Sequence, residues 1–320
     1  MHILDSDATR LALPFDRLVP ALRERFSSGC DAPARHVHEI ANPLADAGAE
    51  ASARKMTSLI MPAWIPGRYY GVKIINIAPG NARSGLPGLH GVYLLFDART
   101  GVPLAQIDGD QLTARRTAAT SALGGSFLAR ADARRLLVAG AGRIADLLPE
   151  AWRTVRPIET VSLWARRPEA AETAARRWRE RGWQVDVVSD LEAACAGADI
   201  ISCATLATEP LIRGDWLRPG THLDLIGSFT PAMREADDAC FKGTRLFVDT
   251  DEALQKSGDL LHPMAGGVLR ADDLKGTLTT LCKGVATGRR NDQERTVFKS
   301  VGHALEDLTA AILVHEAMGD

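Results

Sequence analysis

The chain has 320 residues, enough for about two domains at ~150 residues each. Its 38 basic and 40 acidic residues leave a formal charge of -2, with no excess to steer it toward nucleic acid or anionic lipid. Five cysteines without C-x-x-C spacing argue against a disulfide framework or a zinc site and fit a reducing, cytoplasmic setting; no apolar run approaches the ~18 residues of a membrane span. The start, Met-His-Ile-Leu-Asp-Ser-Asp, lacks the basic region and apolar core of a secretory signal.

In chain order, residues 72–77 and 91–96 read as strands, separated by a segment dense in turn formers at 79–88. Residues 97–101 read as a hairpin turn before a strand at 103–107, and a long helix is predicted over 113–129 with Thr113 as its cap. Short apolar runs at 135–140, 161–164, 185–188, 199–203, 223–226 and 246–249 then read as buried strands with helical stretches between them. The best of these helices covers 168–181: Pro168 suits its first turn, Ala171, Ala174, Ala175 and Trp178 form an apolar stripe, Glu172 and Arg176 are spaced to pair, and Gly182 stops it. Such alternation predicts βαβ units in a doubly wound parallel sheet. A final helix is predicted over 296–318. The fold expected is α/β: a Rossmann domain at 121–299 inserted into an α+β domain made of 1–120 and 300–320.

Gly140-Ala-Gly-Arg-Ile-Ala145 matches G-x-G-x-x-A between a predicted strand and a predicted helix. Gly140 permits the tight turn, Gly142 lets backbone approach a pyrophosphate, and Ala145 lets helix and strand pack closely. The helix N-terminus would offer its N–H groups to the anion, although Pro149 inside it should kink it. An NAD enzyme usually carries an acid at the tip of the second strand; here the tip reads Trp164-Ala-Arg-Arg-Pro168, so Arg166 and Arg167 favour the 2′-phosphate of NADP(H), with NAD(H) still possible.

Several segments together resemble the ornithine cyclodeaminase/mu-crystallin family: Gly71-Val-Lys-Ile, Gly85-Leu-Pro, Leu95-Phe-Asp-x-x-Thr-Gly101, Asp108-Gly, Leu112-Thr-Ala-Arg-Arg-Thr-Ala-Ala119, Gly140-Ala-Gly-Arg, Thr205-Leu-Ala-Thr-Glu-Pro210, Ser257-Gly-Asp259 and the run from Val297 to Asp307. The resemblance implies a small amino or imino acid substrate, a nicotinamide cofactor and a homodimer built on the substrate domain. It implies that Arg35, Lys73 and Arg116 bind the substrate carboxylate, as cations suited to that planar anion. It also places Gly140, Gly142, Arg143, Ile144, Arg166, Arg167, Thr205, Ile226, Gly227 and Val301 at the cofactor. Lys73, near the start of a predicted strand, is the expected catalytic proton carrier, because burial would lower its pKa. Arg115 is expected to be exposed or structural, Glu306 and Asp307 either to orient a substrate amine or to lie on a charged helix face, and His36 and His38 not to bind metal.

Departures from the cyclodeaminase pattern shape the functional expectation. The loop acid of true ornithine cyclodeaminases is replaced by Phe229 in Ile226-Gly-Ser-Phe-Thr-Pro231, and Gly88, Lys256 and Ile144 stand where a threonine, an acid and a glutamine are expected. The sequence therefore points to an NADP(H)-dependent reductase of a cyclic imino acid, of the Δ1-pyrroline-2-carboxylate or ketimine type. Alternatives are an ornithine cyclodeaminase, an alanine-type amino-acid dehydrogenase, and a non-catalytic, crystallin-like NADPH-binding protein. Neither nucleic acid nor membrane is an expected partner.

Overall fold

Short, mainly apolar runs bury both faces most readily as parallel strands covered by helices on each side, and in this computed structural model the second half of the chain does so. The structure describes residues 1–41 and 55–319. It divides into two units: Met1–Ala21, Ser28–Arg116 and His303–Asp320 form one, and Leu22–Ser27 with Thr117–Gly302 the other.

The chain begins with β1 (His2–Leu4), α1 (Ser6–Ala12), α2 (Phe15–Ser28) and β2 (His36–Ala41). There follow β3 (Lys55–Ile65), β4 (Tyr69–Ile77), β5 (Leu89–Asp97), β6 (Pro103–Asp108) and the helix α3 (Gly109–Leu128). The six strands form one sheet in the order β1-β6-β5-β4-β3-β2, antiparallel except for the β1–β6 pair. The hairpin turn at 97–101 is present: Asp97 Oδ1 accepts from the N–H groups of Arg99 and Thr100. α3 starts four residues earlier than the sequence suggests. Asp108, not Thr113, accepts from the first turn, through Gln111 N–H at 2.7 Å.

The second unit contains β7 (Arg135–Ala139), α4 (Leu148–Arg153), β8 (Thr160–Trp164), α5 (Pro168–Glu180), β9 (Val185–Val187), α6 (Leu191–Gly197), β10 (Ile200–Cys203) and β11 (His222–Leu225). It continues with β12 (Arg245–Val248), α7 (Ala253–Lys256), α8 (Gly258–Ala265), β13 (Leu274–Thr277), α9 (Leu278–Cys282) and β14 (Thr296–Lys299). Its sheet is parallel throughout, ordered β13-β12-β14-β11-β10-β7-β8-β9. The strand order therefore reverses at β7 and β10, where an open α/β sheet forms a crevice. Leu137, Ile201, Leu223 and Val297 carry the core across the central strands.

Three local expectations are corrected. Residues 296–299 form a central strand, not the start of the last helix, because Thr296–Lys299 finds a parallel neighbour on each side. Pro149 kinks nothing: a 3-10 turn at Ala145–Leu147 intervenes, and the proline sits in the first turn of α4, where its missing N–H costs no bond. On α5 the apolar stripe is buried as expected, but Glu172 pairs with Arg179 at 3.5 Å and not with Arg176. The last helix, α10 (Ala304–Glu316), belongs to the first unit. No helix among the described residues is long and apolar enough to cross a membrane.

Candidate active site

In the first unit, β4 places Lys73 opposite Met61 on β3 and Tyr93 on β5, with its side chain 1% exposed. The first turn of α10 supplies Glu306 and Asp307, both fully buried, where the helix dipole favours negative charge. Lys73 Nζ lies 2.6 Å from Asp307 Oδ2. From α3, Arg116 Nε donates to Asp307 Oδ1 at 2.8 Å, and its Nη1 donates to Glu306 Oε2 at 2.7 Å. Two cations and two carboxylates thus share a buried site, at which the Arg116 side chain keeps 8% exposure.

Burial pushes the Lys73 ammonium down to about 8, against the opposing pull of Asp307. Burial also works against the charge of Arg116, but Asp307 and Glu306 more than offset it and raise its pKa. The same cations hold Asp307 below the usual carboxylate range despite burial. Lys73 is therefore the member of the cluster whose proton can move near neutral pH.

Around this cluster, Tyr93 is buried with its hydroxyl lacking a hydrogen-bond partner among the described residues. A Cβ on Gly71 would lie 2.1 Å from that oxygen, which explains glycine two residues before the lysine. Arg35 stands half-buried in the segment just before β2. Arg115 is structural: its Nε donates to the Leu13 carbonyl at 2.6 Å and its guanidinium lies over the Phe15 ring.

The second unit has a groove of about 470 Å³ at the C-terminal ends of β7 and β10, lined in part by Gly140, Gly142, Trp164, Arg166, Arg167 and Thr205. Gly140 has φ 123°, and a Cβ there would meet the Ala204 carbonyl oxygen at 2.5 Å, so the turn admits only glycine. Arg166 and Arg167 are exposed. No ion pair joins either to a described carboxylate, and Ala165 occupies the groove wall where an acid would accept a ribose hydroxyl. A glycine turn at a crossover with unengaged cations fits a dinucleotide phosphate. Arg143 and Ile144 follow the turn outside this lining, as do the buried Ile226, Gly227 and Val301.

The loop after β11 carries Phe229 at 40% exposure and no carboxylate from 226 to 231. Beneath it lies a residue that the sequence reading missed. Glu235 is fully buried and accepts from Thr205 N–H, Thr205 Oγ1 and Gly227 N–H. Only its place four residues past Pro231 could have hinted at it, because a lone glutamate reads as surface. Lys256 forms an ion pair with Glu252. Cys203 is buried, and burial raises its thiol pKa. His36 and His38 lie exposed on β2, and no group of metal-binding side chains occurs among the described residues.

The chain is similar to known proteins in four respects. The model of the ornithine cyclodeaminase/mu-crystallin family matches residues 47–320. A Δ1-pyrroline-2-carboxylate reductase of Paracoccus denitrificans is 44% identical over 264 residues, covering 82% of this chain and 84% of its own. The structure of the Thermococcus litoralis Δ1-pyrroline-2-carboxylate reductase with NADH and L-proline superposes with a TM-score of 0.90 at 31% identity, covering 99% of this chain and 97% of that one. An archaeal alanine dehydrogenase dimer with bound NAD gives 0.89 at 27% identity, covering 100% and 96%.

Proposed function

The chain belongs to the ornithine cyclodeaminase/mu-crystallin family, and from that premise we propose that it is a nicotinamide-dependent reductase of a small cyclic imino acid, of the Δ1-pyrroline-2-carboxylate type. The carrying observation is the buried Lys73 with its Nζ 2.6 Å from Asp307 Oδ2, where burial pushes the ammonium down to about 8. An imine carbon accepts hydride well only when its nitrogen is protonated, and a lysine of that pKa can give a proton at neutral pH and regain one afterwards. In this reading the first unit binds substrate and the second binds cofactor.

Arg116, oriented by Glu306 and Asp307, presents its guanidinium to the substrate carboxylate together with Lys73 and Arg35. Asp307 keeps Lys73 charged against the cost of burial. The groove holds the dinucleotide through Gly140, Gly142 and Thr205, which line it; in this reading the cofactor also reaches Arg143, Ile144, Ile226, Gly227 and Val301, as the family resemblance implies. When bound, that cofactor supplies the hydride. The unengaged Arg166 and Arg167, with Ala165 beside them, favour NADP(H) over NAD(H). Self-association into a homodimer is supported by β2, an edge strand exposing Val37 and Ile40; light scattering at micromolar concentration should exceed the 34.4 kDa of one chain.

A panel of pyrroline-2-carboxylate, piperideine-2-carboxylate, pyruvate with ammonia, and ornithine, each with NADPH or NADH for reduction and the oxidised cofactor for ornithine, tests the assignment. Reduction of a preformed cyclic imine with little proline from ornithine is expected, because Phe229 cannot carry a proton and ring closure with ammonia loss calls for an acid in that loop. Efficient conversion of ornithine to proline overturns the reductase reading. Dinucleotide binding without turnover across the panel supports a binding protein instead.

A further inference from the structure

We propose that Glu235 is a positioning residue for the dinucleotide, a single buried carboxylate that ties together the backbone turns after β10 and β11. The inference deepens the cofactor reading above and rests on it. Glu235 Oε1 accepts from Thr205 N–H at 2.7 Å and from Thr205 Oγ1 at 2.8 Å, while Oε2 accepts from Gly227 N–H at 2.7 Å. Thr205 lines the groove; Gly227 belongs to the loop whose Phe229 replaces the family's acid. The fit leaves no slack, since a Cβ on Gly227 would lie 2.4 Å from Oε1.

The backbone that carries this carboxylate is itself anchored. Asp259 Oδ1 accepts from the N–H groups of Glu235 and Ala236 at 2.7 and 3.0 Å, and the Glu235 carbonyl accepts from Leu211 and Ile212 N–H. Lys299, in the strand that the sequence disguised as helix, lies 3.3 Å from Asp259 and donates to the Leu225 carbonyl at 3.0 Å. One internal lysine thus anchors the end of β11 and the acid that orients Glu235. Loops at a cofactor site gain definite geometry when such an acceptor collects their donors.

An ionised carboxylate accepts from all three partners at once, with charge-assisted bonds to both backbone N–H groups. An amide offers a single acceptor oxygen, and a protonated carboxyl loses that charge assistance and must give its proton to Thr205 Oγ1 in place of accepting from it. Burial raises the Glu235 pKa to about 7, with Lys299 opposing and Asp259 adding to the rise. The other titratable groups facing it are Asp224 on β11 and the Cys203 thiol on β10.

The test titrates the 320-residue chain with NADH, which has no 2′-phosphate to titrate, by nicotinamide fluorescence between about pH 8 and about pH 6. Wild type, Glu235→Gln and Asp224→Asn are compared, and each is melted without dinucleotide. Wild type should bind more weakly as the pH falls. Glu235→Gln should bind about tenfold more weakly at the upper pH and lose the pH dependence, as expected for one charge-assisted hydrogen bond. Asp224→Asn should keep that dependence. Glu235→Gln binding NADH like wild type, or melting lower without any change in affinity, overturns the proposal. Should that variant fail to fold, the other two proteins decide: pH-independent binding by wild type, or a dependence abolished in Asp224→Asn, also overturns it. Wild type that binds neither NADH nor NADPH overturns the cofactor reading itself.

Discussion

Each unit buries a charged cluster, and the two differ in balance. In the first, Lys73 and Arg116 meet Glu306 and Asp307, two cations against two acids. In the second, Lys299 is the one cation that accompanies Asp259, Glu235 and Asp224 among the described residues. Burial penalises every charge in both places, but the group that yields depends on the ratio. Where charges balance, Asp307 stays well ionised and the lysine drops to about 8. Where acids are in excess, Glu235 and Asp224 both rise to about 7. The same physics thus makes a mobile ammonium proton in one unit and reluctant carboxylates in the other.

The comparison breaks most plainly at Lys73. Lys73→Met should lower imine reduction by roughly 10²–10⁴-fold, the usual loss for a general acid, while dinucleotide titration stays unchanged. In the wild type, reduction should decline as pH rises above about 8, because the donor loses its proton; a profile flat to alkaline pH would remove Lys73 from the chemistry.

Asp307→Asn upsets the balance itself. Stripping one partner from a buried pair costs about 3–5 kcal/mol, measurable by denaturant unfolding, and the alkaline limb should move to lower pH because Asp307 supports the charged lysine. Retention of wild-type stability would show that the pair contributes little.

Arg166→Ala combined with Arg167→Ala should weaken NADPH binding by about 1.5–3 kcal/mol and NADH binding much less, the range for hydrogen bonds to a charged group. Equal affinities of the wild type for the two cofactors would already contradict the preference.

Stability against pH sharpens the comparison further. An acid whose folded pKa is raised to about 7 holds its proton more tightly in the native state, so its stabilising contribution fades as pH climbs from about 4 to 7. Asp224→Asn should remove part of that slope. Lys73 acts in the opposite sense, since between about 8 and 10.5 the unfolded chain binds the extra proton and stability rises with pH. Urea midpoints across both windows, compared for Asp224→Asn and Lys73→Met, separate the two contributions.

Local chemistry by itself determined a good deal of this protein. The apolar runs at 135–140, 161–164 and 199–203 form strands because residues 4–6 long and apolar on both faces have few other ways to bury themselves. Pro168 and Gly182 bounded α5 because one lacks an N–H and the other adopts φ 83°. Gly140 was legible for the same reason, and Lys73 and Arg116 through the family pattern. What only the tertiary structure decided depends on partners distant in sequence. Thr296–Lys299 is a strand because two others flank it. Asp307 reaches Arg116 across 191 positions, and Glu235 reaches Thr205 across 30. A carboxylate's identity is written in the sequence, but its burial, and so its proton affinity, is set by whatever the fold packs against it.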